Sequence, residues 1–151
     1  MRRAVGMIAA GSIVASLVAG CGDDRPSREA LTEQVTEICQ AAGERHEQAA
    51  AGFDFESFDP DTSDLNEIEP LIEQNVAIGR ETATELDKVR GPEAAEADIG
   101  RWIDVNAQIA DNADEMLDAA RAGDREQFKA LGAAEEELHA GFPDDAMFEG
   151  C

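Results

Sequence analysis

Gly91-Pro92-Glu93-Ala94-Ala95-Glu96-Ala97-Asp98-Ile99-Gly100-Arg101-Trp102-Ile103-Asp104-Val105-Asn106 opens the stretch whose reading decides the fold. From here Ala95, Ile99, Trp102, Asn106, Ile109, Ala113, Met116 and Ala120 recur at spacings of three and four residues. That recurrence is one face of an α-helix. Gly91-Pro92 is a stop and a restart. Proline is tolerated at the first helical position, and Glu93 and Glu96 suit the positive N-terminus. A helix is expected over about 92–121. Asn106, the one polar member of its row, either fixes register, as a buried Asn does in a coiled-coil seam, or lies at the edge.

Working outward, the same period appears three more times. Upstream, Leu65, Ile68, Ile72, Val76, Gly79, Ala83 and Leu86 form a second face, interrupted at its start by Pro70. A proline lacks its N–H and clashes with the preceding turn. A short turn is therefore expected before it and the main helix over about 69–89. Gly79 costs roughly 1 kcal/mol against Ala inside a helix, and in return permits a close crossing. Further upstream, Leu31, Val35, Ile38 and Ala42 share a face with Cys39, and Ser27 is a suitable N-cap, so a helix is expected over about 28–51. Between these two helices Phe53, Phe55 and Phe58 lie among Asp54, Glu56, Asp59, Asp61 and Asp64. This is a loop whose aromatics cover one end of the fold.

Downstream, Ala122-Gly123-Asp124 is a tight turn, and Asp124 followed by Gln127 resembles a capping box. A last helix is expected over about 124–140, with Phe128, Leu131, Ala134 and Leu138 inward and Gly141 ending it. Phe142 to Cys151 is an irregular tail. Four helices, short connections and no strand pattern define the fold class: all-α, an antiparallel up-down four-helix bundle.

The N-terminus is an address. Met1-Arg2-Arg3 is a positive start, and Ala4 to Ala19 is apolar except for Ser12 and Ser16. That run is shorter than the about 20 residues a membrane-spanning helix needs and fits a secretory signal peptide. Leu17-Val18-Ala19-Gly20-Cys21 resembles a bacterial lipobox, with cleavage between Gly20 and Cys21 and a lipid on Cys21. The expected organisation is a lipoprotein signal peptide over 1–20, a lipidated tether over 21–27 and a helical domain over 28–151. The expected location is the extracytoplasmic face of the cell membrane, where two acyl chains give stable attachment.

Removal of the leader takes two of the twelve basic residues and none of the 34 acidic ones, leaving a formal charge of −24. So acidic a chain excludes nucleic acid as a partner and is repelled by anionic headgroups. It favours a basic protein or another cationic partner. With Cys21 lipidated, Cys39 and Cys151 remain as one pair, and an exported location permits the disulfide. The bond would tie the irregular tail back to the first helix.

Several of these residues also resemble a group of small exported helical-bundle lipoproteins of actinobacteria with no assigned activity. They are Ile38-Cys39 on the first helix, the Gly91-Pro92 break, Trp102 on the third helix, Ala122-Gly123-Asp124 before Phe128, and Cys151 at the end. The resemblance implies the bundle and the disulfide, and carries over no catalytic or binding residue.

Chemistry-bearing patterns are sparse. Glu136 and His139 have the Glu-x-x-His spacing of di-metal bundles, but a second such motif is missing, since Gly43 stands three residues before His46. Asp59-x-Asp61-x-Ser63 starts like an EF-hand loop, then has Asp64 where Gly is required and Pro70 where a bidentate Glu is required. After the leader the only serines are Ser27, Ser57 and Ser63, none in a nucleophile-elbow context. No cofactor and no enzymatic activity are expected. The reading is a non-enzymatic, lipid-anchored binding or interaction module. Its competitor is a divalent-cation or metal-binding bundle, for which Glu136 and His139 are the best candidates.

Overall fold

The computed structural model describes residues 25–149 and 151. The lipobox residues Gly20 and Cys21, the leader over 1–20 and most of the tether lie outside the described residues. Among the described residues four helices run α1 (Arg28–Ala50), α2 (Glu69–Leu86), α3 (Glu93–Ala122) and α4 (Arg125–His139). Single 3-10 turns precede α2 (Leu65–Glu67) and close the tail (Ala146–Phe148). Among the described residues no helix is long and apolar enough to cross a membrane.

Local chemistry explains the boundaries. Ser27 caps α1, its hydroxyl accepting from the Ala30 N–H at 3.3 Å. Asp64 caps the turn before α2, and Pro70 sits in the first turn of α2, where no intrahelical N–H is required. Gly123, at φ 68°, ends α3 in the left-handed conformation that glycine adopts without steric cost. Asp124 then caps α4 by accepting from the Gln127 N–H at 3.0 Å.

Ion pairs and side-chain bonds follow the antiparallel order. Arg45 meets Glu81 at 2.5 Å between α1 and α2. Arg80 meets Asp114 at 2.8 Å between α2 and α3, and Arg121 bridges Glu69 and Glu73. The Asn112 amide donates to the Leu131 carbonyl at 3.1 Å between α3 and α4. These are all exposed or half-exposed contacts. Exposed pairs are worth about 0–1 kcal/mol each, so they set register more than stability.

Stability resides in two separate apolar clusters. One, at the tail end, joins Leu31, Val35 and Cys39 of α1 to Leu86, Val89, Ala95, Ile99 and Trp102, with Met147 and Phe148 from the tail. The disulfide Cys39–Cys151 lies at this end and links α1 to the tail. The other cluster, at the loop end, joins Leu65 and Ile72 to Ala113, Met116, Leu117, Ala119, Ala120 and Phe128, with Phe58 and Leu131 packed against it. No α1 residue belongs to that second cluster.

The bundle is therefore uneven. At 1.5 Å per residue, the 30 residues of α3 extend about 45 Å and the 15 of α4 only about 22 Å. α4 packs on α3, α3 on α2, and α2 on α1, but α1 takes the tail turn rather than α4 as its other neighbour. The consequence shows on α4. Of Phe128, Leu131, Ala134 and Leu138, only Phe128 is buried, because the helix has an extensive neighbour on one side alone.

Candidate functional site

Where α1 and α4 would meet in a closed bundle, the structure has a half-open cavity of about 670 Å³. Its lining is contributed in turn by every helix. Ala42, Gly43 and His46 come from α1, and Ile72, Asn75, Val76 and Thr82 from α2. α3 supplies Trp102, Asn106, Ile109, Ala110 and Ala113, and α4 supplies Glu135 and His139. The tail from Phe142 to Cys151 forms the last wall. A site between the helices of a bundle, mostly apolar with a few converging polar groups, is a common form of small-ligand pocket.

Small residues make the space. Ala42, Gly43, Ala110 and Ala113 carry little side chain where two bulky apolar layers would otherwise meet. Gly79 has a sharper role. A Cβ built on it would fall 2.8 Å from Asn106 Oδ1, so a side chain there would force the amide to move. That is the close crossing expected for Gly79. Asn106 is half-buried and faces the cavity from the middle of α3.

The polar groups sit between the two apolar clusters. His46 Nδ1 lies 2.9 Å from Asn75 Oδ1, a distance suited to an Nδ1–H donating to the amide oxygen. In that tautomer the ring lone pair is on Nε2. His139 Nε2 lies 3.8 Å from Glu135 Oε1, one helical turn back. Thr82 is buried, and its hydroxyl donates to the Ile78 carbonyl at 2.8 Å, so it has no hydrogen to offer a ligand.

Aromatic rings line the tail side. Trp102 stacks on Phe148, with centroids 6.4 Å apart and planes 14° from parallel. Phe142 stands 5.5 Å from Trp102 and 5.7 Å from the His139 ring. Two of these four rings come from the tail, so the disulfide that ties the tail to α1 also holds this wall in place.

The residues singled out for chemistry in the sequence are distributed differently. Cys39 and Cys151 come together as the disulfide, and Cys151 borders the cavity. Glu136 is exposed and is not part of the lining, whereas its neighbour Glu135 is. His139 does line the cavity, paired with Glu135 rather than Glu136. Among the described residues no group of three or more His, Cys, Asp or Glu is placed to hold a metal ion. The acidic turn at Asp59 folds on itself. Its carboxylate accepts from the Asp61 N–H at 2.9 Å and the Thr62 hydroxyl at 3.1 Å. Lys129 caps Asp61 at 2.5 Å, and Arg125 donates to the Pro60 carbonyl at 2.7 Å. This turn docks the loop on α4.

The sequence did not single out Asn75, and it gave His46 and Asn106 no shared role. The one signal that could have joined them is a polar or small residue at the same level of each inward face, which requires knowing how the helices align.

No family model matches the chain, and neither the curated proteins nor the solved structures hold a match to it.

Proposed function

We propose that this is a lipid-anchored binding protein of the extracytoplasmic membrane face, held there through Cys21, whose bundle takes a small ligand into the cavity between α1 and α4. The observation that carries the reading is the cavity itself, about 670 Å³ and lined from four helices and the tail. That volume falls within the roughly 300–1,000 Å³ of small-molecule sites. The lipobox Leu17-Val18-Ala19-Gly20-Cys21 and the resemblance to exported actinobacterial bundle lipoproteins support the location.

The lining favours binding over covalent chemistry. Among the described residues it contains no Ser, its one Thr is bonded to backbone, and Cys151 is in a disulfide. Nucleophilic catalysis needs an activated nucleophile beside a base, and the described lining pairs none. The −24 charge of the processed chain favours a cationic partner over an anionic one.

The test is native mass spectrometry of protein extracted from membranes. The wild type should carry a small-molecule adduct that Gly43→Leu lacks. That substitution fills the cavity from α1 while replacing a helical glycine with a better helix former. An adduct of equal occupancy on both chains, or none on the wild type, overturns the cavity reading. Cys21→Ala should release the protein from membranes, and continued globomycin-sensitive attachment of that variant overturns the anchor.

A further inference from the structure

The cavity has a charge pattern as well as a shape. Among the described residues no Lys or Arg lines it. Four carboxylates do: Glu135 on α4, and Asp144, Asp145 and Glu149 on the tail. Arg28 takes Asp145 at 2.5 Å. Glu135 has the imidazole of His139 at 3.8 Å. Among the described residues, Asp144 and Glu149 have no cationic side chain within ion-pair distance. Burial separates these groups from the rings. Trp102 and Phe148 are 4% and 8% exposed, whereas Asp144 and Glu149 are exposed. Trp102 and Phe148 are therefore largely covered by the core, Phe142 is the more accessible ring, and Asp144 and Glu149 stand toward solvent.

We infer that the cavity takes an amphipathic organic cation, with its apolar body against Phe142, Ile109 and the small accessible parts of Trp102 and Phe148, and its protonated amine among Glu135, Asp144 and Glu149. The inference rests on the proposed binding role of the cavity and names its ligand class. An ammonium group at this mouth makes charge-assisted hydrogen bonds to carboxylates. A neutral ligand of the same shape gains only the apolar contribution. A carboxylate ligand meets four carboxylates and a strongly negative chain. A bare divalent ion leaves the aromatic wall unused and finds no group of three ligands among the described residues.

The test uses three probes that share one body: 1-adamantanemethylamine, 1-adamantanemethanol and 1-adamantanecarboxylate. Trp102 is the only Trp in the chain, so its fluorescence reports on the cavity alone. Calorimetry gives the affinities. The amine should bind at least tenfold tighter than the alcohol, and the carboxylate weakest. Raising NaCl from about 0.02 to about 0.5 M should shrink the advantage of the amine, because exposed charges are screened over that range, and should leave the alcohol unchanged. Glu135→Gln/Asp144→Asn/Glu149→Gln should remove the preference and keep the affinity for the alcohol. Glu135→Gln alone, run beside it, should reduce the preference several-fold and keeps the comparison should the triple variant misfold. Alcohol or carboxylate binding as tightly as the amine overturns the cation assignment and leaves the cavity reading standing, as does an unchanged preference in both variants. Failure of all three probes, or equal amine binding by Gly43→Leu, overturns both.

Discussion

Of the six largest fully buried side chains among the described residues, Leu31, Val35, Cys39, Leu86 and Met147 belong to the tail end, and only Leu65 belongs to the loop end. The tail end is closed by α1, α2, α3 and an irregular segment that a disulfide holds in place. The loop end is closed by α2, α3 and the start of α4, with an aromatic loop laid over it. There Phe53 and Phe58 pack edge-on at 5.3 Å, while Phe55 remains 58% exposed. The difference teaches that a short fourth helix need not be compensated by more helix. The ten residues of tail, Phe142 to Cys151, once covalently tied, do the packing of the missing half of α4, and the mismatch between tail and helix leaves the cavity between the two ends.

The strongest way to break this contrast is to cut the tie. Cys39→Ser with Cys151→Ser opens a loop with a sequence separation of 112. In the chain-entropy account, the cost is about 4 to 5 kcal/mol. Urea unfolding should show the loss. Hydrogen exchange should show it first in residues around Met147 and Leu31, with protection near Phe128 retained. Equal loss of protection at both ends would mean that the two clusters are one cooperative unit.

Met147→Ala sharpens the comparison without touching the disulfide. Met147 has no accessible surface although it lies outside the four helices. The cost should be about 2–5 kcal/mol, the range for a buried large-to-small change. Truncation of exposed Phe55 to Ala should cost far less. If Met147→Ala unfolds at the wild-type denaturant midpoint, the tail is not core.

Gly91→Ala probes how tightly the tail end is packed. A Cβ there would fall 2.7 Å from Cδ2 of fully buried Leu31. Overpacking of this kind costs about 1–3 kcal/mol, read as a lower melting temperature. Gly132→Ala at the loop end meets nothing closer than Met116 Cε at 4.0 Å, so it should be neutral or slightly stabilising.

The smallest effect concerns the contact of the loop with α4. The hydrogen bond to Asp61, and then its negative charge, raise the Lys129 pKa above its usual value, partly offset by desolvation. A raised folded-state pKa contributes stability that is fully present below the unfolded lysine pKa and is lost as pH rises through the folded one. Lys129→Gln should therefore be slightly less stable than wild type at neutral pH, with the gap closing above about pH 10.4. A gap that widens in alkali would contradict the pairing.

Much of the fold was legible in the residues, and for local reasons. Ser27, Pro70, Gly91-Pro92, Gly123 and Asp124 act on the backbone within one turn of themselves. The expected helices over 28–51, 69–89, 92–121 and 124–140 therefore meet the observed Arg28–Ala50, Glu69–Leu86, Glu93–Ala122 and Arg125–His139 within a few residues. The inward row of α4 was the least legible. Its period is correct, but burial depends on having neighbours on both sides, and α4 has an extensive one on α3 alone.

The sequence by itself determined the four helices and their apolar periods and, on the expectation that Cys21 carries a lipid, the pairing of Cys39 with Cys151, since periodicity, local capping and cysteine arithmetic are properties of neighbours or of simple counts. Only the tertiary structure decided that α1 turns from α4 to the tail, that Gly79 yields to Asn106, and that His46, Asn75, Glu135 and His139 border one cavity. The physical reason is that a cavity is a place where packing fails to close. That depends on the relative lengths and heights of elements far apart in the chain, and no local pattern encodes it.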